Sequence, residues 1–334
     1  PNIALLPYLT DFDVHYCGEK GGMEEKMLAA FPEVTFHALP CIKFRRSLSP
    51  KNLKVPFVLH KGIRQAKKLL DAFEPCAVFS KGGYAALPLC LAASKRRVPL
   101  VIHESDVSMG LSNRLVAKKA QKVCTFFPAL AEKYPNGVSI GMPIRRELYN
   151  GHAQNIARTY SFPQNGKPNL LVFGGSQGAL ALNLTLEACL AEVCERFNVL
   201  HIAGKHTFTG GNACYRRAEF CNNMEDCYAW ADYAVCRGGA GTLAEIVALR
   251  KPALVIPLPK SSTSRGDQQQ NAAYYKKLGC IRVLAQEDLT PQSLCRAVAD
   301  LLACRASLVA AMHNAPAPDG TRAIADVLRA YAKP

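Results

Sequence analysis

The chain has 334 residues, 49% of them apolar and 20% charged, a globular composition with length for two domains of roughly 100–200 residues. Lys and Arg total 41 against 26 Asp and Glu, and the resulting net charge of +15 favours anionic partners such as phosphorylated metabolites, an acidic membrane face or nucleic acid. Nucleic acid is set aside, because aromatics are only 8% and do not interleave with the basic residues, and no apolar run of about 18 residues is present to span a bilayer.

The chain starts at Pro1 with a helix-like segment, Asn2–Leu9, where a parallel α/β domain ordinarily opens on a strand. The expectation is that an N-terminal piece is missing. Val14–Cys17 and Val34–Leu39 read as strands, with helical spacing between them at Met23, Met27 and Leu28. Ile42–Leu70 is rich in Lys and Arg, has no acidic residue, and becomes an amphipathic helix after Pro56. That pattern fits an ordinary core-facing helix with a solvated basic face, but the absence of acidic residues favours a patch that docks on anionic lipid.

Ala77–Ser80 reads as a strand running into the glycine turn SKGGY (Ser80–Tyr84). Val98–His103 is the next strand, and the polar cluster His103, Glu104, Ser105 and Asp106 follows its carboxyl end, the edge where open α/β sheets bind ligands. The plainer role for His103 and Glu104 is loop packing and capping. Lys122–Thr125 and Val138–Ile140 are short strands, and Gly141–Arg145 (GMPIR) breaks the pattern as a domain boundary does.

The alternation then restarts. Asn169–Phe173 runs into GGSQG and a helix to about Phe197; Val199–Ala203 and Cys214–Phe220 are strands, and Cys221–Trp230 is a loop and short helix. Ala234–Cys236 is a strand, Arg237–Thr242 a glycine turn, Leu243–Leu249 a helix and Ala253–Pro257 a strand. Gly238, Gly239 and Gly241 are read as letting a ligand approach the backbone, and Thr242 with Glu245 as a capping box. The last helices are expected near Pro291–Ala303, Ser307–His313 and Gly320–Ala332. None of the 14 cysteines forms C-x-x-C and most lie in apolar runs, so buried thiols in a reducing compartment are expected rather than disulfides or zinc.

None of the three glycine turns is G-x-G-x-x-G with its acidic partner, and none is a Walker A loop. Two similar α/β halves with such turns suggest a cleft in which a diphosphate meets helix N-termini without a metal. The motifs SKGGY…P, HES…GLSNRLVAK, FGGSQGA…LN, FCNNM, CRGGAGTLAE and PLP…DQ…NA occur in that order over nearly the whole chain. In this the chain resembles the UDP-N-acetylglucosamine–N-acetylmuramyl-(pentapeptide) pyrophosphoryl-undecaprenol N-acetylglucosamine transferases.

The resemblance implies a GT-B fold: two Rossmann-like α/β domains facing a cleft, residues 1–143 and 144–317, with the helix at about 318–334 packing back on the first. It implies inverting transfer of N-acetylglucosamine from UDP to the muramyl 4-hydroxyl of the undecaprenyl-linked acceptor (lipid I to lipid II), in peptidoglycan synthesis. The enzyme would be peripheral on the cytoplasmic face of an anionic membrane, with cell-wall synthesis partners and no cofactor or metal. Carried over by position, the donor UDP-N-acetylglucosamine is met by Asp106, Arg145, Ser176, Cys221, Ala240, Gly241, Thr242, Leu243, Ala244, Glu245, Gln268 and Gln269. The acceptor is met by Lys81, Gly82, Gly83, Tyr84, His103 and Glu104. The family's HEQN segment is here His103–Asp106 with Ser105 and Asp106 in its last two places. The family's first strand and first glycine loop, with its histidine, have no counterpart in this sequence. The catalytic base is thus unassigned, with His103, Glu104 and Asp106 as candidates. A related transferase with another lipid acceptor, or an inactive nucleotide-sugar-binding protein, remains open as an alternative.

Overall fold

The computed structural model describes residues 2–44, 50–174, 179–207, 211–261, 264–316 and 318–332. The chain divides into two compact units, Pro1–Pro143 with Gly320–Pro334, and Ile144–Asp319.

The first unit opens on a 3-10 helix, Ile3–Tyr8. Strands β1 (His15–Gly18) and β2 (Thr35–Ala38) flank α1 (Met23–Leu28) and pair in parallel. Helix α2 (Val55–Phe73) buries Gly62, Ala66 and Leu70, one residue per turn, against α3 (Leu87–Arg96). A Cβ at Gly62 would sit 2.2 Å from the Pro40 carbonyl oxygen, so this packing requires glycine. A parallel sheet in the order β3 (Val78–Ser80), β4 (Leu100–Glu104), β5 (Lys122–Thr125), β6 (Gly137–Ser139) carries α4 (Leu111–Val116) and α5 (Pro128–Ala131). All of β4 is buried, as its unbroken LVIH run demands of a central parallel strand. A cavity of about 290 Å³ lies among Leu5, β1, β3 and Phe73, with Lys81 and Gly82 in its wall.

The second unit holds a parallel sheet. Its strands are β7 (Asn169–Phe173), β8 (Asn198–Ile202), β9 (Tyr215–Ala218), β10 (Tyr233–Cys236), β11 (Ala253–Val255) and β12 (Arg282–Val283). They are ordered β12-β11-β10-β7-β8-β9. The helices are α6 (Ala153–Tyr160), α7 (Leu180–Ala188), α8 (Leu190–Arg196), α9 (Met224–Trp230), α10 (Ala240–Ala248), α11 (Asp267–Lys277) and α12 (Pro291–Asn314). The core joins Leu170 and Val172 of β7 with Leu182, Leu186, Val193, Phe197, Leu294, Val298 and Leu301.

The helix expected to run to Phe197 is broken at Cys189, whose backbone leaves the helical region at φ −125°. The two helices expected at Pro291–Ala303 and Ser307–His313 are one: Leu301 and Leu308, two turns apart, are both buried on its core face. Helix α13 (Thr321–Arg329) returns the chain to the first unit, where Ile324 and Leu328 pack on Leu5, Val101 and Cys124 and Arg329 pairs with Asp11.

Candidate active site

In the second unit the chain runs outward from β7 through β8 to β9, then returns to β10 on the other side of β7. That reversal is a topological switch point, the place where open α/β sheets bind ligands beyond the strands' carboxyl ends. Phe173 and Cys236 are the last residues of β7 and β10 and lie in register. The carboxyl ends of β7 and β10 therefore lie side by side, and the glycine turn Arg237–Thr242 follows the second of them. Ser176 lies outside the described residues.

Helix α10 begins at Ala240, three residues earlier than expected, with Gly239 as N-cap and no side-chain cap bond. Thr242 is thus inside the first turn, and the expected Thr242–Glu245 capping box is not formed. The N–H groups of Ala240, Gly241 and Thr242 have no partner within the helix, the arrangement that suits a phosphate. Gly238 is required for packing: a Cβ there would come 2.6 Å from the Gln268 carbonyl oxygen. Leu243 and Ala244 are buried beneath this turn.

Glu245, one turn further on, accepts a hydrogen bond at Oε2 from the Tyr228 hydroxyl at 2.9 Å. Burial raises its carboxyl above the ordinary value, against the lowering by Tyr228 and by the Arg145 charge. Arg145 precedes the 3-10 turn Arg146–Tyr149. Gln268 and Gln269 open α11, and their Oε1 atoms accept from the backbone N–H of Leu258 (2.9 Å) and Lys260 (3.2 Å). They hold the loop after β11, and each keeps its amide N–H₂ to donate. Asn271 reaches the Gly238 carbonyl at 3.4 Å, and Arg237 donates to the Ile256 carbonyl at 3.0 Å. Cys221 lies just before α9 with its thiol 3.1 Å from that of Cys227.

In the first unit, His103 is fully buried with both ring nitrogens engaged. Nε2 is 3.0 Å from the Gly141 carbonyl, which only accepts, so Nε2 carries the proton and Nδ1 accepts from Lys81 Nζ at 2.6 Å. Burial, then the Lys81 charge, holds its pKa well below 6.5. Glu104 is equally committed. Oε1 accepts from the N–H of Ser105 and Asp106, and Oε2 from Gly110 N–H and Asn113 Nδ2. Both side chains thus anchor the exit of β4, the plainer role that the sequence offered for them.

Lys81 Nζ also meets Ser105 Oγ at 2.5 Å, and burial lowers its pKa to about 7 against the pull of Glu104 and Asp106. Gly82 and Gly83 turn the chain at φ +82° and +87°, a region that favours glycine. Tyr84 donates to Glu19 Oε2 at 2.5 Å. Among the described residues no group of three or more His, Cys, Asp or Glu is placed to hold a metal ion. Sequence reading missed Tyr228, Asn271 and Asn113, which look like core residues until their partners are seen.

The glycosyltransferase family 28 N-terminal domain matches residues 1–125, and the family 28 C-terminal domain matches residues 169–328. The UDP-N-acetylglucosamine–N-acetylmuramyl-(pentapeptide) pyrophosphoryl-undecaprenol N-acetylglucosamine transferase of Lachnoclostridium phytofermentans is 38% identical, over 94% of this chain and 90% of that protein. Its namesake from Clostridium kluyveri is 36% identical, over 99% of this chain and 95% of that one. The chain belongs to this transferase family. Among solved structures, MurG of Acinetobacter baumannii superposes with a TM-score of 0.75 at 23% identity, over 99% of this chain and 95% of that one. UDP-GlcNAc 2-epimerase from Neisseria meningitidis, solved with UDP-GlcNAc, gives 0.66 at 13% identity, over 98% and 94%. The fold is the two-domain GT-B fold of these glycosyltransferases.

Proposed function

We propose that this chain transfers N-acetylglucosamine from UDP-N-acetylglucosamine to the muramyl 4-hydroxyl of a pyrophosphoryl-undecaprenol-linked acceptor. The observation that carries the reading is the turn Arg237–Glu245, where uncapped N–H groups lie one helical turn from a carboxylate at the sheet's switch point. The diphosphate sits on the N–H groups of Ala240, Gly241 and Thr242, and Arg145 and Ser176 are the further donor contacts that the family resemblance implies. Glu245 accepts from the ribose hydroxyls, the backbone at Cys221 meets uracil, and the amides of Gln268 and Gln269 read the sugar. On the acceptor side, Lys81, Gly82, Gly83 and Tyr84 hold the lipid-linked diphosphate.

The acceptor hydroxyl oxygen attacks the anomeric carbon and the bond to UDP breaks with inversion. The charge on UDP is stabilised by helix N–H groups and Arg145. With His103 and Glu104 committed to the β4 exit, Asp106 is the remaining candidate to take the proton.

The basic helix α2 supports docking on an anionic membrane face, where the acceptor lies. Phe57, Lys61, Arg64 and Lys68 share one exposed face at helical spacing, and Leu53 and Phe57 are 77% and 78% exposed. No described helix is long and apolar enough to cross a membrane. The test is a panel of acceptors offered with radiolabelled UDP-N-acetylglucosamine: lipid I, a polyprenyl phosphate and diacylglycerol. Label is expected in the lipid I product. Transfer to another lipid, or to none, contradicts the reading.

A further inference from the structure

Helix α9 is pinned in the second unit by Asp226, whose carboxylate accepts from His152 N–H (2.7 Å), Asn155 Nδ2 (2.9 Å) and Asn223 Nδ2 (3.1 Å). Two residues on, Tyr228 is 1% exposed, with its ring edge-on to Phe173 at 6.0 Å and 82°. A buried phenol requires a partner for its hydroxyl, and this one uses Glu245 Oε2. An ionised carboxylate only accepts, so the phenol donates. Oε1 of Glu245 has no partner among the described residues. The contact thus ties down one oxygen of the carboxylate and leaves the other for a ligand, one turn past the open start of α10.

We propose that Tyr228 is a positioning residue for the donor: by holding Oε2 it orients Glu245 toward the vicinal hydroxyls of a ribose, and so makes the site select ribonucleotides. This rests on the reading of Glu245 as the ribose contact. Without the phenol, the carboxylate is free to rotate away and to take up a water in place of the sugar. The loss then falls on the two hydroxyls and spares the uracil and the phosphates. A purely structural tyrosine would instead weaken every contact of the pocket alike.

The experiment titrates the full chain with UDP and with 2′,3′-dideoxy-UDP by calorimetry, in the parent, Tyr228→Phe, Glu245→Ala and the double variant. Tyr228→Phe keeps the ring against Phe173, and a thermal melt of each variant checks folding. The expected result is about tenfold weaker UDP binding for Tyr228→Phe, the scale of one hydrogen bond to a charged group, with dideoxy-UDP unchanged. In the Glu245→Ala background the same change has no further effect. In the transfer assay KM for the donor rises by a similar factor while kcat holds. The proposal is overturned if Tyr228→Phe binds UDP as the parent does, weakens both nucleotides equally, or costs as much in the Glu245→Ala background. UDP binding left unchanged by Glu245→Ala alone removes the ribose reading itself, a failure separable from that of Tyr228.

Discussion

Cys221 is half-buried and Cys227 fully buried, with their thiols 3.1 Å apart. The hydrogen bond from Cys227 lowers the Cys221 thiol below its ordinary value, while Cys227 is raised by the same contact. The other cysteines whose pKa is displaced go up with burial, for example Cys17, Cys194 and Cys236, each to about 12. Near neutral pH iodoacetamide should therefore label Cys221 first, as peptide mass spectrometry would show, because the thiolate is the reacting form. Cys227→Ala should move the onset of that labelling to higher pH; an unchanged onset would refute the pairing. A second residue-scale prediction concerns Lys81, pulled down to about 7 by burial. Between that value and its unfolded pKa of about 10.4 the unfolded chain holds the proton and the folded chain does not. Stability therefore rises with pH across this window. Denaturant titrations should show the parent gaining on Lys81→Met by roughly 3 kcal/mol from pH 7 to 10. A constant difference would contradict the shift. His103 and Glu104 show why such residues are ambiguous in sequence: a strand's carboxyl end collects both ligand contacts and the groups that tie down the following loop. Only their partners, Gly141 and Lys81 for one and four N–H donors for the other, tell these apart.

The elements followed the hydrophobic pattern where burial was complete. NLLVF and the VPLVIH run are strands because both faces of a parallel sheet are covered. The pattern failed where tertiary contacts decided. The Thr242-x-x-Glu245 spacing matched a capping box, yet Glu245 turns to Tyr228, and the box that forms is Thr290 with Ser293, where serine replaces the usual Glu or Gln. Thr290→Ala should cost about 1 kcal/mol in a denaturant titration, as loss of a cap does, with donor binding unchanged. At the site, Gly238→Ala should destabilise by about 1–3 kcal/mol, because the new methyl meets backbone at the start of α11 rather than a side chain that can yield. For α2, replacing Lys61, Arg64 and Lys68 by Ala should reduce cosedimentation with anionic vesicles, and added salt should weaken the parent in the same way. Unchanged cosedimentation would leave the helix with a solvated basic face and no membrane role.

At the scale of the whole chain, the +15 charge favours anionic partners, in keeping with the phosphorylated donor and lipid-linked acceptor proposed above. The division at Pro143 and Asp319 leaves the β3–β6 sheet in the first unit and the β7–β12 sheet in the second, and each of these carries a glycine turn past a strand's carboxyl end. The second unit has its turn at a switch point beside the Glu245 carboxylate, the arrangement on which the proposed nucleotide site rests. The most direct measurement is a crystal structure of the full chain with UDP. The expected electron density places the phosphates on the N–H groups of Ala240–Thr242 and the ribose hydroxyls on Glu245. UDP bound in the first unit, or in the second away from the carboxyl ends of β7 and β10, would contradict the account.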